Sequence, residues 1–151
     1  MRAIIVFDSK HGNTERIADA IGKGLRDSGV SLVSVIWANR ACEDDFHEFD
    51  LWVIGSPTRW GGPTFKIRAL LSNAIRYEGK GRRFAVFDTR YEKMHTGASE
   101  KLRATLNKGG LTEVIGPEHF VVLGGNGPLK DGEESRAEDY GKRIAERASL
   151  K

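Results

Sequence analysis

Five short runs along the chain are almost wholly apolar: residues 3–7, 32–36, 51–55, 84–87 and 120–123. They draw largely on Val, Ile, Leu and Phe, and none alternates strictly with polar residues. Runs of this length without alternation predict strands buried on both faces, as in a parallel sheet. Between them the period changes. Residues 14–27 set Ile17, Ala20, Ile21 and Leu25 on one stripe, and 64–76 do the same with Phe65, Ile67, Leu70, Leu71 and Ile75. Residues 98–108 carry Leu102 and Leu106 four apart, and 133–148 carry Ala137, Tyr140, Ile144 and Ala148. Each pattern predicts an amphipathic helix. Residues 40–48 are acidic and only weakly periodic, and a minor helix is expected there.

Strand and helix in regular alternation define an α/β domain, with a doubly wound parallel sheet and helices on both faces. A length of 151 residues suits a single domain with its own core. In such sheets, ligands bind beyond the carboxyl ends of the strands, near the point where strand order reverses. The loops to inspect are therefore 8–14, 37–40, 55–63, 88–97 and 124–132.

Composition narrows the field. Acids and bases are interleaved, the net charge is +3, and no block of like charge suggests a nucleic-acid arm. No apolar stretch approaches the roughly 20 residues that cross a bilayer. The only cysteine, Cys42, has no partner for an internal disulfide, and no His or Cys cluster has metal-ligand spacing. The chain opens on a strand pattern without a leader-like segment, so the expectation is a cytoplasmic protein.

The first loop carries the strongest chemistry. Between Phe7 and the helix opening at Thr14 lie Asp8, Ser9, Lys10, His11, Gly12 and Asn13. The N–H groups at a helix start have no intrahelical partners and sit at the positive end of the helix dipole. They stabilise an anion there. Ser9 and Thr14 add hydroxyls, Asn13 an amide, and Gly12 admits the backbone conformations a tight cradle needs. A capped helix would need only one such residue. The nucleoside-triphosphate pattern G-x-x-x-x-G-K-[ST] and the dinucleotide pattern G-x-G-x-x-G are both missing. The turn suits one terminal phosphate monoester.

Residues 5–21 resemble the flavodoxin signature, meeting each of its specified positions: Ile5, Val6, Phe7, Ser9, Gly12, Thr14, Ala18 and Ile21. "GSPTRWGGPT", residues 55–64, and "FDTRYEKMHTGAS", residues 87–99, resemble the family's second and third flavin loops. The resemblance implies a five-stranded sheet in order 2-1-3-4-5 and a tightly held FMN. At this length it also implies a short-chain member, without the inserted strand of longer ones. It assigns Ser9, Lys10, His11, Gly12, Asn13 and Thr14 to the phosphate side. Pro57, Thr58, Arg59, Trp60, Gly61 and Gly62 fall in the second loop. Asp88, Thr89, Arg90 and Tyr91 fall in the third, near the ribityl chain or ring edge.

Trp60 is the leading candidate to stack on the ring, and Tyr91 or His95 to cover its other face. The plain alternatives are a rim tryptophan and a loop tyrosine. In flavodoxins a loop peptide flips when the flavin gains an electron and a proton. The resemblance puts that peptide at Gly61–Gly62, where a simple turn before a helix is also a sufficient reading. Trp37 is expected in packing or at the rim. Flavodoxins usually surround the ring with acids, whereas these loops hold Arg59, Arg90, Lys93 and His95 against Glu92 alone. A reduced, anionic flavin would be favoured by such cations, so a less negative second potential and acidic redox partner proteins are expected. Three functions remain open. They are a one-electron carrier between partner proteins, an FMN-dependent quinone reductase or protoporphyrinogen-oxidase-like enzyme on the same scaffold, and a flavin-free interaction module. The oligomeric state is not readable from the residues.

Overall fold

The computed structural model describes residues 1–150. Its strands are β1 (Arg2–Phe7), β2 (Leu32–Trp37), β3 (Leu51–Pro57), β4 (Arg83–Tyr91), β5 (Thr112–Glu113) and β6 (Glu118–Val122). Its α-helices are α1 (Asn13–Asp27), α2 (Phe65–Glu78), α3 (Ala98–Lys108) and α4 (Glu133–Ser149). The sheet runs β2-β1-β3-β4, and both β5 and β6 pair with the outer edge of β4. Every strand pairing is parallel. The flavodoxin-like order 2-1-3-4-5 is therefore present, with its last position shared by two strand segments.

Alternation along the buried strands divides the core. Ile5, Phe7, Val53 and Phe87 face α1 and α4, while Val6, Trp52, Ile54 and Val86 face α2 and α3. These side chains are nearly solvent-free, and burial of each large one is worth roughly 1.5–3 kcal/mol. Two buried faces explain the unbroken apolar runs.

The structure corrects the sequence reading in three places. Residues 40–48 form no α-helix; two short 3-10 turns, Ala38–Arg40 and Glu43–Phe46, stand there. The expected strand 120–123 is instead β6, which ends at Val122 and leaves Leu123 exposed. The segment β5, which shares that edge of β4, is two residues long and carries no readable period. The buried Tyr140 hydroxyl holds the break between them, lying 3.1 Å from the Val86 carbonyl and 2.9 Å from that of Gly116. Burial pushes the Tyr140 phenol well above its usual range. Finally, β4 continues past Phe87 to Tyr91, so Asp88, Thr89 and Arg90 are strand residues and not loop residues.

Candidate functional site

The strand order reverses between β1 and β3, and the loops leaving their carboxyl ends face each other. A narrow cleft opens there. Its wall takes Ser9, Lys10, His11, Asn13 and Thr14 from the first loop and helix start, and Pro57, Thr58 and Arg59 from the end of β3. Thr89, Arg90 and Tyr91 of β4 complete one side. Met94, Val122 and Gly125 also line it: Met94 and Gly125 lie in loops marked for inspection, whereas Val122 is a strand residue with no sequence signal for this place. The cleft encloses about 70 Å³, far below the roughly 300–1,000 Å³ of a pocket that swallows a drug-sized ligand. It has the scale of a small anion with an open mouth above it.

The first loop is shaped by Gly12, whose φ of 88° places it in the left-handed region just before α1. Its N–H donates to Ser9 Oγ at 3.1 Å. Among the described residues, the N–H groups of Asn13, Thr14 and Glu15 meet no acceptor. Thr14 Oγ1 lies 2.9 Å from Thr89 Oγ1, which ties the helix start to β4. Asp8 is the organiser that the sequence reading missed. Its carboxylate accepts from Ser9 N at 2.9 Å, Trp37 Nε1 at 3.3 Å and Thr64 Oγ1 at 2.6 Å. One side chain thus fixes the first loop to β2 and to the start of α2. Asp8 occupies an unspecified position of the signature, so the pattern did not mark it. Trp37, expected in packing or at the rim, has a polar bond to this anchor as well.

The second loop is a tight hairpin. Arg59 N donates to Gly62 O at 2.7 Å and Gly62 N to Arg59 O at 2.9 Å. The two central residues, Trp60 and Gly61, have φ of 52° and 76°, the pairing of a type I′ turn. Trp60 is the only non-glycine residue with positive φ among the described residues. It is also fully exposed. A bulky side chain in this backbone region is an outlier. Trp60, Gly61 and Gly62 stand beside the cleft and are not among the residues of its wall. Thr58 Oγ1 accepts from Ala98 N at 3.1 Å, capping α3.

Asp88 and Arg90 correct the expected charge pattern. Asp88 is fully buried beneath the cleft and does not line it. It accepts from Arg90 Nε at 2.9 Å, Arg90 Nη2 at 2.6 Å and Ser99 N at 2.8 Å. Glu100 adds a further carboxylate at 2.8 Å from Arg90 Nη2. Burial opposes the Arg90 charge, but these carboxylates outweigh it and hold the guanidinium above its usual range. Arg90 is thus no free rim cation. Its Nη1 is buried without an acceptor. Glu92 pairs with Lys130 at 2.6 Å. His95 is exposed and outside the wall, whereas Tyr91 lines it. The free cations at the mouth are Lys10 and Arg59.

An open parallel sheet with unpartnered amides over a cleft at its switch point has the architecture of a doubly wound α/β ligand-binding protein. Comparison with known proteins then gives the family. Residues 5–146 match the model of the flavodoxin family, described as flavodoxin, and the chain belongs to that family. A flavodoxin from Clostridium saccharobutylicum is 24% identical over 155 aligned residues, covering 96% of both chains. A flavodoxin from Aquifex aeolicus is 23% identical over 74 residues, which span 49% of this chain and 40% of that protein. Among solved structures, a flavodoxin from the domain Archaea superposes with a TM-score of 0.81 at 22% identity, over 97% of this chain and 98% of that one. Members of the family bind FMN.

Proposed function

We propose that this chain acts as a single-domain FMN-binding electron carrier that serves partner proteins. The observation that carries the proposal is the first loop. Unpartnered N–H groups at the start of α1, a left-handed Gly12 and the hydroxyls of Ser9 and Thr14 converge on a cleft of anion size. That donor set fits a phosphate monoester, which accepts several hydrogen bonds and favours the positive helix end. FMN, when bound, supplies the redox chemistry.

The remaining tasks fall to this chain's own side chains. The amides of Asn13, Thr14 and Glu15, with Ser9 and Thr14, would hold the phosphate. Asp8 keeps that loop in shape from below. Thr58 still has a hydroxyl proton to donate toward the cleft, because its oxygen serves as acceptor for Ala98. Arg90 Nη1, buried and unsatisfied at the cleft wall, offers a fixed donor. Tyr91 and Trp60 would cover the flat ring, Tyr91 from the wall and Trp60 from the hairpin. Lys10 and Arg59 at the mouth favour partners that are acidic where they touch.

Titration of the flavin-free protein with FMN tests this reading. Flavin fluorescence should be quenched with a stoichiometry of one per chain, and riboflavin should bind far more weakly. Equal affinity for the two compounds would contradict a phosphate-led site.

A further inference from the structure

Charge is divided between the two helical layers. Helices α2 and α3 together carry six basic and two acidic side chains, whereas α1 and α4 carry seven basic and eight acidic. Both acids of the first layer are already engaged, Glu78 with His47 at 2.8 Å and Glu100 with Arg90 at 2.8 Å. Among the described residues, Arg68, Lys101 and Lys108 have no acidic partner. These three edge a groove of about 400 Å³ between α2 and α3, whose floor includes Leu71, Ile75 and Leu102. One end of the groove meets the hairpin. A Cβ on Gly62 would lie 2.6 Å from Arg68 Nη2 and 3.4 Å from Lys101 Nζ.

We propose that this groove docks an amphipathic helix with acidic flanks, presented by a redox partner. The proposal deepens the carrier reading and rests on it. The floor, where Ile75 stays partly accessible above the buried Leu71 and Leu102, takes one apolar stripe of a helix, as helix-in-groove recognition requires. The unpaired cations at the edges take its carboxylates, steering encounter and fixing register. The contact between Gly62 and the groove edge sets the docked helix against the hairpin. Charge and shape select this occupant. A nucleic-acid backbone gains nothing from a recessed apolar floor. A membrane surface needs protruding apolar groups gathered in one patch; on this layer the exposed Phe65 and Tyr77 stand near opposite ends of α2, outside the groove, and Leu71 and Leu102 are buried below the charged edges.

The test uses the full-length, FMN-loaded, 15N-labelled chain. The probe is an acidic helical peptide as long as α2, 14 residues, with Leu at every third or fourth position and Glu between. Amide shifts should concentrate in α2, α3 and residues 59–62. R68E with K101E should weaken binding at least about tenfold, and added salt should weaken it further. R16E with K142E, on the opposite layer, should change nothing. A peptide with Lys in place of Glu should not bind. Shifts elsewhere, equal binding of the Lys peptide, or no binding would overturn the proposal. So would phosphatidylglycerol vesicles or duplex DNA moving the α2 and α3 amides when the acidic peptide does not. Visible absorbance of the same samples reports flavin separately. Peptide binding by a chain that never retains FMN would defeat the carrier reading and leave the groove; flavin without peptide shifts would do the reverse.

Discussion

Arg90 grips the carboxylate of Asp88, two positions earlier on the same strand, through Nε at 2.9 Å and Nη2 at 2.6 Å, and both side chains are out of solvent. Residues two apart on a strand share a face, so the pair forms without any bend in β4. It floors the cleft and anchors the start of α3 through Ser99 N. Removing one partner of a buried pair leaves an uncompensated charge, which costs about 3–5 kcal/mol. Asp88→Asn should fall near the lower end, because Glu100 remains beside Arg90. Asp88→Leu combined with Arg90→Met should recover most of that loss. Urea denaturation of the three proteins checks both statements.

Trp60 carries opposing demands. Its positive φ is unfavourable for a bulky residue, while Asn adopts that conformation readily. The indole touches no core, being fully exposed. Trp60→Asn should therefore stabilise the flavin-free protein by about 1 kcal/mol and weaken FMN binding. A thermal melt of the apo-protein and an FMN titration give the two signs. Loss of stability in the apo-protein would show that the hairpin is not strained.

The peptide joining Trp60 to Gly61 takes part in neither cross-turn hydrogen bond. It is the unit of the hairpin that can rotate while both bonds persist. Gly61 has φ of 76° and open space where a Cβ would stand. Gly61→Val should cost roughly 1–2 kcal/mol through backbone strain alone. It should also narrow the gap between the two one-electron potentials of the FMN-loaded protein. Anaerobic redox titration measures that gap, and an unchanged gap would remove this peptide from the redox response.

Glu133 locks the outer edge of β6. Burial disfavours its charge, but hydrogen bonds from Arg136 and from Val121 N outweigh this and hold its pKa below the ordinary 4.5. A depressed folded value means that the contribution is complete above the unfolded value and fades as pH falls through the folded one. Hydrogen bonds to a charged group of this kind are worth about 1.5–3 kcal/mol. Glu133→Gln should therefore destabilise near neutral pH, and the difference from the parent should shrink below about pH 4.5. Denaturation curves across that range test the trend.

Much of this architecture is legible in the amino-acid sequence. The runs that became β1, β3 and the first half of β4 are buried on both faces, and that condition writes continuous hydrophobicity into the chain. The four α-helices began and ended within about two residues of their periodic stripes. What escaped was polar structure inside the sheet. Asp88, Thr89 and Arg90 look like a loop because their composition is polar, yet an internal ion pair and the Thr14–Thr89 contact hold them within a strand, leaving only Arg90 Nη1 among them without an acceptor. The spacing of two between opposite charges was the available clue. The first loop was legible in its donors but not in its anchor, since Asp8 acts through Trp37 and Thr64, 29 and 56 residues away. Of the expected basic rim, Arg90 turns inward to Asp88 and Glu100, while Arg59 stays free at the mouth. Arg68, Lys101 and Lys108 add unpaired cations on α2 and α3, where periodicity shows only helix.

The phosphate cradle is tested most directly by amide NMR spectra of the flavin-free chain titrated with FMN and, separately, with riboflavin. The N–H resonances of Asn13, Thr14 and Glu15 should move strongly with FMN and stay in place with riboflavin. FMN binding that leaves these three amides unmoved would contradict the account.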